Sequence, residues 1–199
     1  PNASNSVQSA TGRGGWFSKQ ESAALLAVLC YTGGSLAVWP FTERIAASVG
    51  LSTASFGVLS ACANIAGLGV CLAGVKLSRK AASMRMLAPA IFITGLICIM
   101  QAAPLSKEVF GAAFLVNYAV WFFIYPALVG LTCLVDPSGR LAARSGGAWM
   151  LSQAVTTLLA GFAGHSGSYI WIGVLSMVLC AVSSICTMLV KPHKAGATT

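Results

Sequence analysis

The segment VFGAAFLVNYAVWFFIYPALVGLTCLV, residues 109–135, is almost entirely apolar and contains no charged residue. An α-helix rises about 1.5 Å per residue, so about 20 apolar residues cross the roughly 30 Å hydrocarbon core of a bilayer. This segment is longer than that minimum. Its length and composition predict a transmembrane helix.

Five further apolar runs fill most of the remaining chain. Hydrophobic residues make up 57% of the 199 residues and charged residues only 8%, a composition that excludes an ordinary soluble domain. We therefore predict an all-α polytopic membrane protein with six transmembrane helices, in contact with the lipid bilayer on its outer faces. The predicted spans are Ser22–Ile45, Leu51–Val75, Met86–Ala103, Val109–Val135, Gly146–Ala163 and Tyr169–Val190.

Basic residues are distributed unevenly between the gaps that separate these runs. The chain has 12 Lys and Arg, 4 Asp and Glu, and a net charge of +8. When the gaps are assigned alternately to two sides, only Arg44 and Lys107 fall on one side, and every other basic residue falls on the other. The positive-inside rule then places both termini in the cytoplasm of a multi-pass protein of the cell (inner) membrane. The sequence shows no basic face with interleaved aromatic residues, so we expect no binding to nucleic acid.

The two ends of the chain differ in composition from the apolar middle. Residues 1–21 are polar and rich in Gly and Ser, which is typical of a flexible linker, and residues 191–199 form a short polar tail. Because the chain begins with Pro1 and not Met, we expect a segment cut from a longer protein, beginning in a cytoplasmic loop. Residues 22–190 are expected to form one six-helix transmembrane domain.

Proline and glycine divide the predicted helices at defined points. Pro40 has no backbone N–H and its ring clashes with the carbonyl of Leu36, so the first span should break there and leave that carbonyl free. A short helix should follow and end at Gly50, with Ser52 as the N-cap of the second span. Residues 136–139, Asp-Pro-Ser-Gly, have the composition of a type I turn.

The fourth span carries polar and aromatic side chains near its middle. Asn117, Trp121 and Tyr125 recur every fourth residue, with Tyr118 beside them. Polar side chains are costly in hydrocarbon and usually face a bundle interior or a water-filled cavity. We predict that this stripe lines a substrate pathway, and interhelical packing is the alternative.

Other spans supply further candidates for the same pathway. They are Asn64 in the second span, Gln153 in the fifth, and Tyr31, Ser35 and Trp39 in the first. Spans three and six lack strongly polar residues in mid-span and are expected at the periphery. All seven Cys lie in apolar runs without metal-ligand spacing, so we expect neither a metal site nor another cofactor.

Two loops resemble those of the major facilitator superfamily of transporters. Gly74-Val75-Lys76-Leu77-Ser78-Arg79-Lys80 is similar to the basic loop signature of that family, Gly-x-x-x-Asp-Arg-x-Gly-Arg, and differs at Ser78, where the family often has Asp. Asp136-Pro137-Ser138-Gly139-Arg140 resembles the loop before the eleventh helix, and Gly50-Leu51-Ser52 the start of the eighth. The resemblance implies that the six spans are helices seven to twelve.

The resemblance also implies a function and a set of partners. A transporter of this family would move a small-molecule substrate by alternating access, with this half rocking against an N-terminal six-helix half. Gly74, Arg79, Lys80, Asp136 and Arg140 would belong to its cytoplasmic gate. Protons are left open as the coupling ion, because the four carboxylates of this chain all lie at helix ends or in loops.

Other classes of six-span protein fit the sequence less well. An intramembrane protease needs a Ser nucleophile and a His base within spans, but His165 and His193 lie in a loop and in the tail, so we expect no enzyme. The paired Asn-Pro-Ala motifs of aquaporins are absent. A self-standing six-helix protein, acting as a dimeric carrier or as a structural membrane subunit, stays open as an alternative.

Overall fold

A computed structural model describes residues 17–77, 82–165 and 168–190, without the side chains of 73–77 and 82–85. Within these ranges the chain is all-helical, as predicted, and contains no strand. The α-helices are α1 (Lys19–Leu36), α2 (Thr42–Ser48), α3 (Thr53–Leu77), α4 (Ala82–Ala102), α5 (Lys107–Val135), α6 (Arg140–Gly164) and α7 (Ile170–Leu189).

Each predicted span corresponds to helix in the structure, although several helices begin earlier than expected. In the described part of the chain, four helical segments are long and apolar enough to cross a membrane. The apolar part of α4, Met86–Ala102, is shorter, and α6 is not among the four. The protein is therefore an all-helical membrane protein with at least these four candidate spans, which are Lys19–Ser48, Thr53–Leu72, Lys107–Val135 and Ile170–Leu189.

Helix α1 starts two positions before the predicted end of the linker at residue 21. The Ser18 hydroxyl accepts from the Glu21 amide at 3.2 Å, and a Glu21 carboxylate oxygen accepts from the Ser18 amide at 2.7 Å. This reciprocal pair is a capping box, which satisfies amides that would otherwise have no partner at the helix start. It explains why the helix begins at Lys19.

The first span is broken at the proline, which confirms the prediction. Helix α1 ends at Leu36, a 3₁₀ turn covers Trp39–Phe41, and α2 follows directly. Gly50 then ends α2 with φ of +83°, a conformation in which a side chain would be strained. The Ser52 hydroxyl accepts from the Ser55 amide at 3.2 Å, so Ser52 caps α3 as predicted.

Helix α1 lies in the centre of the bundle and packs against α5, α6 and α7, while α4 packs against α5 and α7. Small hydroxyls join these helices by donating to backbone carbonyls on their neighbours. Ser183 donates to Ala27 at 2.7 Å, and Ser184 donates to Ala88 at 2.8 Å. Such interhelical hydrogen bonds are a common stabilising contact between membrane helices.

Helices α1 and α6 approach each other closely at Gly33. A Cβ atom at this position would lie 2.5 Å from Ser152 Oγ and 2.5 Å from Thr156 Oγ1. The absence of a side chain lets Ser152 donate to the Leu29 carbonyl at 2.6 Å. The glycine is therefore required by packing, as in other small-residue contacts between membrane helices.

Two apolar clusters fill the interior, one toward each end of the bundle. Tyr31, Leu87 and Leu128 belong to one cluster, and Phe110 and Ile172 belong to the other. On α5, the buried residues of the second cluster precede Asn117 and those of the first follow Trp121. The polar part of the interior therefore lies between the two clusters.

Candidate functional site

A cavity of about 230 Å³ lies between the apolar clusters. It is bounded by the C-terminal end of α1, the 3₁₀ turn, the end of α4, and the middle of α5 and α6. Most of the residues predicted to line a substrate pathway meet here, although they come from separate helices. Those that line the cavity are Ser35, Trp39, Asn117, Tyr118, Trp121 and Gln153.

The broken end of α1 lies at the cavity. Leu36 lines it, and among the described residues no donor bonds its carbonyl, because the residue four positions on is Pro40. The Ser35 carbonyl accepts from Asn117 Nδ2 at 3.5 Å and from the Cys98 thiol at 3.9 Å. Unwound carbonyls of this kind occur in membranes where they line a cavity.

Asn117 joins three helices at the cavity wall. Its Nδ2 donates to Gln101 Oε1 of α4 at 3.0 Å as well as to the Ser35 carbonyl. Gln101 is only 1% exposed. Since a buried amide is costly without partners, this network holds the ends of α1 and α4 against the middle of α5.

Aromatic rings form much of the remaining wall. The Trp39 ring stacks on Phe114 with centroids 5.9 Å apart and lies 5.3 Å from the ring of Tyr118. Trp121 lies 6.3 Å from Trp149 on α6. The indole nitrogens of Trp121 and Trp149 are buried and have no hydrogen-bond partner in the described structure, so these two rings contact the cavity through carbon atoms.

Three of the residues predicted for the pathway lie outside the cavity lining. Tyr31 is fully buried in the apolar cluster that also contains Leu87 and Leu128. Tyr125 stacks face to face on Trp121 at 5.3 Å and thus supports a lining residue. Asn64 is exposed on α3, where its Oδ1 accepts from the Tyr118 hydroxyl at 3.0 Å and its Nδ2 donates to the Ser60 carbonyl at 2.8 Å.

Sequence reasoning missed the contributions of Gln101 and Trp149 to the lining. Gln101 lies near the end of the third span, which was expected at the periphery, yet this end of α4 reaches the cavity. Trp149 lies one helical turn before Gln153 on α6, and this spacing of four residues was the available signal. For Leu36, the sequence predicts a free carbonyl but not a place in the cavity lining.

The residues predicted for a cytoplasmic gate are described only in part. Arg79 and Lys80 lie outside the described residues, and Gly74 belongs to α3. Asp136 Oδ2 accepts from the Leu141 amide at 2.9 Å, and Asp136 also accepts from the hydroxyl and the amide of Ser138.

Asp136 therefore acts as a structural cap at the start of α6, where Arg140 is the first helical residue. The Ser138 hydroxyl and then the Leu141 amide hold the pKa of its carboxyl below the usual value. The Gly139 amide donates to the Asp136 carbonyl at 3.1 Å, which confirms the predicted turn.

Nucleophiles and metal ligands do not cluster in the described part of the chain. No group of three or more His, Cys, Asp or Glu is placed to hold a metal ion there. Within that part, Cys98 is the cysteine that contacts the Asn117 network, and it does so through weak thiol hydrogen bonds of 3.9 Å. The cavity lining consists of uncharged polar and aromatic groups, which suit binding better than covalent chemistry.

Searches against family models, curated proteins and solved structures returned no match for this chain.

Proposed function

We propose that this chain is the C-terminal half of a secondary transporter that resembles the major facilitator superfamily. All six predicted spans, including α4 and α6, would cross the cell (inner) membrane, with both termini in the cytoplasm. The half would move a small molecule by rocking against an N-terminal half around a central site.

The cavity between the two apolar clusters is the observation that carries this proposal. Its lining groups lie near the middle of α5 and α6, which is the depth expected for the substrate site of a transporter. Polar groups such as Asn117 and Gln153 are costly in hydrocarbon unless they serve a cavity or another helix. The free carbonyl at a broken helix is a further feature of transporter sites.

Exposed apolar side chains offer surfaces for the partner half and for lipid. Helix α6 exposes Leu151, Val155, Leu158 and Phe162 in the described structure. Helix α3 exposes a comparable row, Val58, Ile65, Leu68 and Leu72. In the proposed transporter one such surface would pack against the N-terminal half, while the basic loop with Gly74, Arg79 and Lys80 would close the cytoplasmic side together with Asp136 and Arg140.

Cysteine labelling of the full-length protein tests the proposal without knowledge of the substrate. In a background without native Cys, S35C and Q153C should react with a charged, membrane-impermeant methanethiosulfonate reagent. The matched control is I185C on α7, because Ile185 is 59% exposed on an apolar surface. Thiolates form in water and not in hydrocarbon, so the cavity positions should react at least about tenfold faster than the control.

Alternating access adds a second requirement to this experiment. The reactivity of S35C and Q153C from one side of the membrane should fall when conditions raise it from the other side. If both cavity positions are as unreactive as I185C from either side, the cavity is not a solvent-accessible pathway and the transporter proposal is wrong.

A further inference from the structure

Hydrogen-bond donors around the cavity are directed at the protein itself. Asn117 Nδ2 donates to Gln101 and to the Ser35 carbonyl, and Gln153 Nε2 donates to the Thr32 carbonyl at 3.1 Å. The Tyr118 hydroxyl donates to Asn64. The donors of Asn117, Gln153 and Tyr118 are thus already engaged, and among the lining amides only Gln101 Nε2 donates no hydrogen bond within the described structure.

Three acceptors of the lining residues are free or weakly used. The Leu36 carbonyl and Gln153 Oε1 accept no hydrogen bond from the described residues. Within the described ranges, Asn117 Oδ1 accepts only from the Cys98 thiol at 3.9 Å. These oxygens would be complemented by a ligand that donates hydrogen bonds.

The end of α1 contributes a partial negative charge to the site. Ser35 and Leu36 are its last two residues, and both line the cavity. Because the last carbonyls of a helix lack intrahelical partners, the C-terminal end of the helix dipole attracts cations. The break at Pro40 places this end inside the bundle and not at its surface.

Aromatic rings add a second source of attraction for a positive charge. The nitrogens of Trp121 and Trp149 are buried, so these rings present carbon to the cavity, where Trp39 and Tyr118 also lie. The face of an aromatic ring is electronegative, and Trp gives the strongest cation–π attraction. Tyr125 stacks parallel to Trp121 with ring centroids 5.3 Å apart.

We infer that the cavity binds a small organic ammonium ion, which would be the substrate class of the transporter; this inference rests on the proposed function. Free carbonyl oxygens would replace the hydration shell of the ammonium group, and the aromatic rings would surround its apolar part. A cavity of about 150 Å³ holds a benzene molecule. The larger volume here, about 230 Å³, accommodates one ring with an ammonium substituent.

Three probes of nearly equal size separate this ligand class from its alternatives. Benzylammonium, benzyl alcohol and benzoate each carry one ring and differ in charge. Ligand-observed NMR titrations would use the full-length protein in nanodiscs, with empty nanodiscs to subtract partition into lipid. Benzylammonium should bind at least about tenfold more tightly than benzyl alcohol, and benzoate more weakly than both.

Two variants test the residues that carry the inference. Gln153→Glu adds a negative charge at nearly constant shape and should tighten benzylammonium binding by about tenfold or more, a gain that misfolding cannot produce. Trp121→Leu should lower the preference for benzylammonium over benzyl alcohol by about threefold to tenfold. The matched control Trp171→Leu lies on α7, where Trp171 is 58% exposed, and should leave this preference unchanged.

The inference is overturned if benzyl alcohol or benzoate binds as tightly as benzylammonium, or if Gln153→Glu leaves benzylammonium affinity unchanged. These outcomes are separable from a failure of the proposed function. If S35C and Q153C are labelled as predicted while the probes show no preference for the cation, the ligand class is wrong and the transporter proposal stands. If the two cysteines are not labelled, the proposed function itself fails.

Discussion

Asn117 shows how much a single polar residue can organise in a membrane interior. Its amide group contacts the broken end of α1 and Gln101 at the end of α4, while its own helix provides the middle of the wall. In hydrocarbon, an amide without partners costs several kcal/mol. The residue therefore holds three helices together at the point where the cavity opens between them.

Asp136 is a second residue whose role is set by its hydrogen bonds. The carboxylate accepts from Ser138 and from the Leu141 amide and so caps α6. Because these bonds favour the charged form, the pKa of Asp136 in the folded protein lies below its value in the unfolded chain. Its stabilising contribution is full above the unfolded value of about 3.9 and is lost as the pH falls through the folded value.

We predict that Asp136→Asn reduces the loss of thermal stability between about pH 6 and about pH 3, because this group no longer takes up a proton on unfolding. Unfolding temperatures of the two proteins in the same detergent at both pH values measure the effect. Glu43→Gln, at an exposed carboxylate of α2, serves as the control for the loss of one negative charge. An identical loss in Asp136→Asn and wild type would contradict the capping role.

At the scale of the elements, the break in the first span and the close approach of α1 to α6 are linked. Gly33 lies in the last turn of α1, just before Ser35 and Leu36, which line the cavity. Ser152 and Gln153, adjacent on α6, donate to the Leu29 and Thr32 carbonyls of α1. The α1–α6 contact thus fixes the position of the helix end at the cavity.

Gly33→Ala should destabilise the protein, because its new Cβ would meet the hydroxyls of Ser152 and Thr156. Overpacking of this kind costs about 1–3 kcal/mol, which exceeds the gain of up to about 1 kcal/mol in helix propensity. Gly147→Ala is the matched control on α6, since a Cβ there meets nothing within 4 Å. Unfolding measurements in mild detergent should show a loss for Gly33→Ala only, and equal stability of the two variants would argue against a close helix contact.

At the scale of the whole molecule, the charge distribution predicts six membrane crossings, whereas helix length and composition support four. Four helical segments in the described part are long and apolar enough to span a membrane. If α4 does not cross, Lys107 lies on the same side as Lys80; if it crosses, the two lie on opposite sides. The side on which Lys107 lies therefore shows whether α4 crosses the membrane.

We expect an impermeant maleimide to label K107C in intact cells, and to label K80C and K194C only after the membrane is permeabilised. Each variant would be made in a background without native Cys, and the permeabilised sample gives the total labelling. Protection of K107C in intact cells would show that α4 does not cross the membrane. The chain would then not have the six spans of half a transporter. Labelling of K80C and K194C from opposite sides would contradict the predicted orientation as a whole.

The sequence was enough to predict the helical elements and some of their boundaries. Continuous apolar segments imply helices in a membrane, because only helices and closed barrels satisfy the backbone there. The break at Pro40, the cap at Ser52 and the turn at Asp136 each follow from the local chemistry of one or two residues. These predictions held because they depend on neighbours in the chain.

Only the tertiary structure decided which side chains reach the cavity. Helical spacing placed Tyr31 and Asn64 among the candidates. In the folded bundle, however, Tyr31 packs within an apolar cluster and Asn64 lies on an exposed face. The same packing brings Gln101 and Trp149 into the lining from helices with weaker signals. The rotation of each helix about its axis depends on contacts with other helices, such as the approach at Gly33, and a periodic pattern within one helix does not contain that information.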